Sequence, residues 1–187
     1  MDISVIVPIY NEEKIIKNSV KKLEDELSSL NQKWEIIFVN DGSTDNTQKI
    51  LSQICKGSKS LKIVSYSQNK GRGKAIRTGF KHAKGNIIIT IEADSSWGPN
   101  ILERFSKIMK KNKEIDVLIA SPHLRKGSYK NVPFLREYLS IIGNKILCFG
   151  SNNNLSMVTG MTRAYRKEVI KNLELYSDRK EIHLEII

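Results

Sequence analysis

A chain of 187 residues, 40% hydrophobic and 27% charged, is long enough for one well-filled core and short of the length at which domains multiply. No apolar run approaches the roughly 18 residues that cross a bilayer as a helix, and Met1-Asp2-Ile3-Ser4 lacks the basic-then-apolar order of a secretory leader. The net charge of +11 points to nucleic acid, an anionic membrane face or a phosphorylated substrate, but few aromatics interleave the cations, which argues against nucleic acid.

Ile3–Pro8 is a short apolar run closed by proline, a first buried strand. Asn11 stands where it can cap a helix whose first turn carries Glu12 and Glu13. Ile15, Ile16, Val20, Leu23, Leu27 and Leu30 then recur at helical spacing. Trp34–Asn40 reads as a second strand and runs into the turn cluster Asp41-Gly42-Ser43-Thr44-Asp45, with a helix over 48–54. Leu61–Ser65 is a third strand. The glycine-rich basic loop Asn69–Lys74 follows, then a helix from about Ala75 to His82 that Gly85 ends.

Ile87-Ile88-Ile89-Thr90-Ile91 is a fourth strand, apolar enough to be buried on both faces. It leads straight into Glu92 and Asp94, which share a direction if the extended chain persists. After Trp97-Gly98-Pro99, a helix carrying Ile101, Leu102, Phe105, Ile108 and Met109 precedes a strand over Asp116–Ala120. Ser121–Pro133 is polar and turn-rich and is expected to form a loop over the site. Phe134–Phe149 reads as an amphipathic helix, Asn152–Asn154 as a loop, Leu155–Tyr165 as irregular and Lys167–Leu173 as a short helix. The apolar pattern stops uncapped at Leu184-Glu185-Ile186-Ile187, so either the natural protein is expected to continue or the sequence is limited to its globular part.

Alternating strands and helices in units of roughly 25–30 residues predict an α/β fold with a mainly parallel sheet, right-handed crossovers and helices on both faces. The loops after Pro8, Asn40, Ser67 and Ile91 then open on one rim, where such sheets bind ligands. This brings Asp41, the Gly71 loop and Asp94 together. Gly71-Arg72-Gly73-Lys74 is neither a dinucleotide fingerprint nor a P-loop. It either turns the chain closely into a helix N-terminus or lies beside donor phosphates. Cys55 and Cys148 have neither metal nor redox spacing, so a reduced cytosolic setting is the default.

Four motifs in order, Ser4-Val5-Ile6-Val7-Pro8-Ile9-Tyr10-Asn11-Glu12, Val39-Asn40-Asp41-Gly42-Ser43-Thr44-Asp45, Asn69-Lys70-Gly71-Arg72-Gly73-Lys74-Ala75 and Glu92-Ala93-Asp94, resemble the inverting family 2 glycosyltransferases of GT-A (Rossmann-like) fold. Ala120-Ser121-Pro122, Val132-Pro133, Leu135-Arg136, Arg163–Val169 and Ile182-His183-Leu184-Glu185 resemble the polyprenyl-phosphate branch, such as dolichyl-phosphate mannose synthases. The resemblance implies one catalytic domain over 1–187, with a nucleotide-sugar half at 1–98 and an acceptor half at 99–187.

It also implies roles. Pro8, Tyr10 and Glu12 would wall the base and ribose. Val39 and Asp41 would meet the base, with Asp41 accepting from a ring N–H, and Lys74 and Ala93 would complete the donor set. Glu92 and Asp94 stand in the family's Asp-x-Asp positions. Asp94 would ligate the Mg2+ or Mn2+ that bridges the two phosphates. Ser96 stands where the branch often has a metal-binding glutamine. Ser121-Pro122-His123 replaces the branch's usual Ser-Arg-Tyr, so an anion-binding arginine is missing at Pro122. Arg125, Arg163 or Arg166 would then hold the acceptor phosphate.

The acceptor decides whether a base is needed. A hydroxyl must lose a proton as it attacks, whereas a phosphate monoester with a second pKa of about 6 is already an oxyanion. No late acid pair is evident, and Glu185 is the remaining base candidate, with a structural ion pair as its other reading. The expectation is therefore sugar transfer from a GDP- or UDP-linked donor to polyprenyl or dolichyl phosphate by a cytoplasmic protein, peripheral at the anionic cytosolic membrane face. A saccharide or protein hydroxyl acceptor is the second reading, and a non-enzymatic basic nucleic-acid or membrane-binding module the third.

Overall fold

The computed structural model describes residues 1–94, 98, 100–121 and 157–187. Ser96, Arg125, the loop at 122–133, the helix expected at 134–149 and the loop at 152–154 lie outside the described residues. In chain order the elements are β1 (Ile3–Ile9), α1 (Ile16–Ser28), β2 (Trp34–Asn40), α2 (Thr47–Ile54), β3 (Leu61–Ser65), α3 (Arg72–His82), β4 (Ile87–Thr90), α4 (Ile101–Lys111), β5 (Val117–Ile119), β6 (Arg163–Arg166), α5 (Lys167–Asn172) and α6 (Ile182–Glu185).

One six-stranded sheet runs β3-β2-β1-β4-β6-β5. The pairs β1–β2, β2–β3 and β1–β4 are parallel, while β6 runs antiparallel to both of its neighbours, β4 and β5. The chain builds outward from β1 through β2 to β3, then returns to place β4 on the other side of β1. The loops leaving β1 and β4 therefore diverge, and a crevice opens between them.

Strand alternation sorts the core into two layers. Ile3, Val5, Val7 and Ile9 face one side with Ile36, Phe38, Ile87 and Ile89, under α1, α2 and α4. Ile6, Ile37 and Ile88 face the other, packed against Ala75, Ile76 and Phe80 of α3, Tyr165 of β6, Ile170 of α5 and Ile182 of α6. The rings of Phe80 and Tyr165 meet edge to face, 5.3 Å between centroids.

Three expectations are corrected. Asn11 does not cap a helix: α1 begins at Ile16, and Asn11 lies in the left-handed region at φ 56°. The third helix starts at Arg72, three residues before the expected Ala75, so half of the basic glycine loop is its first turn. Finally, the end of the segment expected to be irregular is strand β6, paired Thr90 to Arg163 and Ile87 to Arg166. Its Arg-Ala-Tyr-Arg sequence hides the strand because charged ends flank a buried centre.

Candidate functional site

The rim above β1, β2 and β4 is built from two loops that lock each other. Asn11 Oδ1 accepts from the Thr44 amide at 2.8 Å, and the Asn11 amide donates to Ser43 Oγ at 3.0 Å. The Glu12 amide donates to Thr47 Oγ1 at 2.9 Å, and the Glu13 amide to Asp45 Oδ2 at 3.1 Å. In return, the amide and side-chain nitrogens of Asn46 donate to Glu13 Oε2, each at 2.9 Å. The polar residues of the first two motifs thus satisfy one another's backbone. This is why Asn11 takes a left-handed turn and not a cap.

Asp41 has a similar task. It is buried, and its oxygens accept from the amides of Lys70 and Gly71, each at 2.8 Å. Each oxygen keeps a second lone pair, so the carboxylate both clamps the β3–α3 loop and retains acceptor capacity. Gly42 takes φ 72°, and a Cβ there would lie 2.4 Å from the Gln68 carbonyl carbon. Only glycine lets the two loops approach this closely.

The acids gather at the same rim. Glu12 has its pKa raised by burial first, then by the charges of Asp94 and Asp45. Asp94 itself is exposed. Mutually repelling carboxylates facing solvent are a donor set suited to a hard divalent cation, although among the described residues no cluster of three or more potential ligands converges on one point. Glu92 is held from the far side, its Oε2 accepting from Thr162 Oγ1 at 2.5 Å.

Not every expected residue lines this rim. Pro8 is half-buried and Tyr10 is 46% exposed. Val39 and Ala93, by contrast, are core: Val39 is wholly buried among Ile6, Ile37 and Ala75, and Ala93 is 5% exposed in the opposite layer. Any contact they make with a donor is through backbone. Lys74 is half-buried in the first turn of α3, and its amide donates to the Asp178 carbonyl at 3.1 Å.

The basic glycine loop has a reason that the sequence did not show. Residues 177–179 pass directly over the start of α3. A Cβ on Gly73 would lie 2.5 Å from the carbonyl oxygens of both Ser177 and Arg179. The glycines admit a segment of the chain's own C-terminal part. Gly73→Ala should therefore destabilise the fold by about 1–3 kcal/mol, as overpacking does, and thermal unfolding would read it.

The acceptor-side residues separate. Arg163 is fully buried, with Nε donating to the Gly160 carbonyl at 2.7 Å, Nη1 to that of His183 at 2.9 Å and Nη2 to that of Val158. Its guanidinium braces the approach to β6 by holding these carbonyls, so it does not present itself to an acceptor phosphate. Arg166 pairs with Ile87, at the opposite end of β4, and binds the Met109 and Asn112 carbonyls at 2.9 and 2.7 Å. It lies on the wrong rim for that role. Glu185 accepts from the amides of Tyr176 and Ser177 at 2.6 and 2.9 Å. Despite some burial, those bonds hold its pKa below the ordinary glutamate value, which makes it a weak base. His183 is buried, and burial with the nearby Arg163, Arg72 and Lys180 charges lowers its pKa to about 3, so it is neutral.

With this geometry in place, likeness to known proteins can be stated. The family described as Glycosyl transferase family 2 matches residues 4–174. The chain is 28% identical over 190 residues to a dolichol-phosphate mannosyltransferase of Pyrococcus furiosus, covering 100% of this chain and 52% of that protein. It is 27% identical over 176 residues to the uncharacterized glycosyltransferase YkcC of Bacillus subtilis, covering 94% and 53%. The chain thus spans about half the length of these curated relatives. Among solved structures, glucosyl-3-phosphoglycerate synthase from Mycobacterium tuberculosis in complex with Mn2+, uridine diphosphate and phosphoglyceric acid superposes with a TM-score of 0.73 at 18% identity, covering 99% of this chain and 62% of that one. S. aureus TarS 1-349 in complex with UDP-GlcNAc gives 0.64 at 20%, covering 100% and 53%. These likenesses establish the GT-A fold.

Proposed function

The chain belongs to glycosyl transferase family 2, and from that premise we propose that it moves a sugar from a GDP- or UDP-linked donor to a polyprenyl phosphate at the cytosolic membrane face. The observation that carries the reading is that Asp94, just past β4, lies near enough to Glu12, in the loop after β1, for its charge to raise the Glu12 pKa after burial, at the rim where Asp41 clamps the loop at 70–71. In this reading the donor's base and ribose lie along Pro8, Tyr10, Glu12 and Asp41.

A divalent cation, Mg2+ or Mn2+, fits the acidic rim. Asp94 would hold it, with Ser96 as the other proposed ligand, and when bound it neutralises charge on the departing diphosphate. The chain's own residues do the rest. Asp41 fixes the loop at 70–71, Glu92 is steadied by Thr162, and the interlocked β1 and β2 loops keep the crevice from collapsing.

Support for a phosphate acceptor comes from the state of Glu185. Two amide bonds and a lowered pKa suit it to holding a turn rather than taking a proton, and an acceptor that is already ionised needs no base. Arg125 keeps its proposed place at the acceptor phosphate. Calorimetry with GDP and UDP, each with and without Mn2+, tests the donor half: one nucleotide should bind in a metal-dependent way, and binding of neither would end the reading. Labelled sugar recovered in a lipid extract tests the acceptor; label on a soluble saccharide or a protein instead would replace the acceptor by a hydroxyl.

A further inference from the structure

A cavity of about 470 Å3 lies between α3, α5 and the chain that follows α5, within the roughly 300–1,000 Å3 usual for ligand sites. Its position separates it from the donor crevice. Ala83 and Lys167 line it, and both belong to the rim where the strands begin: the Lys167 amide donates to the Asn86 carbonyl, just before β4. The length of β4, about 10 Å, stands between this opening and the Glu92–Asp94 end.

The chemistry of the lining is uneven. Phe80, Ile88, Ile170 and Leu173 make an apolar floor. Above it two helices face each other, each presenting two cations one turn apart: Arg77 and Lys81 on α3, Lys167 and Lys171 on α5. Such i,i+4 like-charge pairs are mildly destabilising in themselves. Arg77 is answered by Asp178, and Lys167 Nζ by the Lys84 carbonyl at 3.2 Å. Among the described residues, Lys81 and Lys171 are exposed and have no acidic partner. No acid among the described residues lines the cavity. Glu174, between Leu173 and Leu175, points elsewhere and accepts from the Tyr176 hydroxyl at 2.6 Å.

We propose that this slot binds an anionic amphiphile, a phosphate carrying an alkyl chain, with the chain on the apolar floor and the phosphate between Lys81 and Lys171. The site is separate from the donor crevice and does not depend on the acceptor assigned above. A membrane phospholipid and a soluble alkyl phosphate share this chemistry.

Calorimetry of the full chain with monomeric dihexanoyl phosphatidic acid tests it, beside inorganic phosphate and the double variant Lys81→Ala/Lys171→Ala. Saturable binding is expected, weakened about tenfold or more in the variant, while Mn2+-dependent nucleotide binding and thermal unfolding stay unchanged. Flotation with phosphatidylglycerol vesicles against phosphatidylcholine vesicles then assigns the source. Lysine-dependent binding to the anionic vesicles identifies a membrane lipid, and monomer binding alone identifies a soluble ligand. No binding of the monomer, equal binding by the variant, or inorganic phosphate binding as tightly as the amphiphile would overturn the proposal. Loss of nucleotide binding in the unaltered protein would count against the donor reading alone.

Discussion

Replacing Asp94 by asparagine is expected to cut sugar transfer by about 10²–10³-fold, the scale seen when one preorganised electrostatic contact to developing charge is removed. The fold should hardly notice: Asp94 is exposed, and exposed substitutions usually shift stability by no more than about 0.5 kcal/mol. Labelled-sugar transfer and thermal unfolding, measured on the same preparation, separate the two effects. A third readout needs no turnover. Glu12 has its pKa raised by burial, then by Asp94, then by Asp45, so removing the Asp94 charge should lower it, visible in an NMR titration. If the Glu12 titration stays where it was and transfer persists, the acids do not act as one group and the site is misplaced.

Replacing Glu35 by alanine is expected to be strongly destabilising. Glu35 is fully buried near the start of β2, at the rim opposite the crevice. Its Oε1 accepts from Ser4 Oγ at 2.6 Å and from the Lys84 amide at 2.7 Å, and its Oε2 meets Lys62 Nζ at 2.5 Å. One carboxylate therefore ties β1, β3 and the turn before β4 to β2. Its loss strips Lys62 of its partner, leaves the buried Ser4 hydroxyl without its acceptor, and leaves the Lys84 amide with only its longer bond to Ser4 Oγ at 3.1 Å. The cost should be about 3 kcal/mol, near the lower end for a broken buried pair because Lys62, with a side chain 35% exposed, can turn to water. At 2–4 °C per kcal/mol for a chain of this size, Tm should fall by about 6–12 °C.

The same carboxylate gives stability a pH dependence of definite sign. Burial alone would raise its pKa, but the bonds from Lys62, Ser4 and the Lys84 amide outweigh it, and the folded pKa lies below the ordinary value. The stabilisation is therefore fully present above the unfolded glutamate pKa of about 4.3. It is lost as pH falls from there through the depressed folded value, because the unfolded chain takes up the proton first. Urea unfolding at a series of pH values would show a drop below about pH 4.3 in the parent protein and a smaller one in Glu35→Gln. Equal slopes in the two would mean that the Glu35 pKa does not change on folding.

The strands of the first ninety or so residues were legible because their signals are local. The run of isoleucines at 87–91 could only be a doubly buried strand, and β2 and β3 have the bounds that their apolar runs suggested. Asp41 and Asp94 needed only the rule that parallel strands end on one rim. Legibility failed where partners lie far apart in the chain. The arginines of β6 read as anion ligands because the arginine that the resemblance leads one to expect is missing at Pro122. Their acceptors are backbone carbonyls such as that of His183 and, for Arg166, those of Met109 and Asn112, and no sequence pattern records a carbonyl. Glu35 sat unremarked within an apolar strand, since its three partners come from three other segments.

By itself, then, the sequence determined the class of fold, the order of the first four strands, the family resemblance and the rim on which the acids gather. The elements follow from periodicity within a window of a few residues, where side-chain burial has a fixed period; the resemblance rests on four motifs in order, and the rim on the rule that parallel strands end on one side. The tertiary structure alone decided that β6 enters antiparallel beside β4, that Gly73 makes room for residues 177–179, that Arg163 braces the core, and that four cations frame a second cavity on the other rim. Those outcomes depend on which distant backbone groups and side chains come within about 3 Å of one another, the reach of a hydrogen bond.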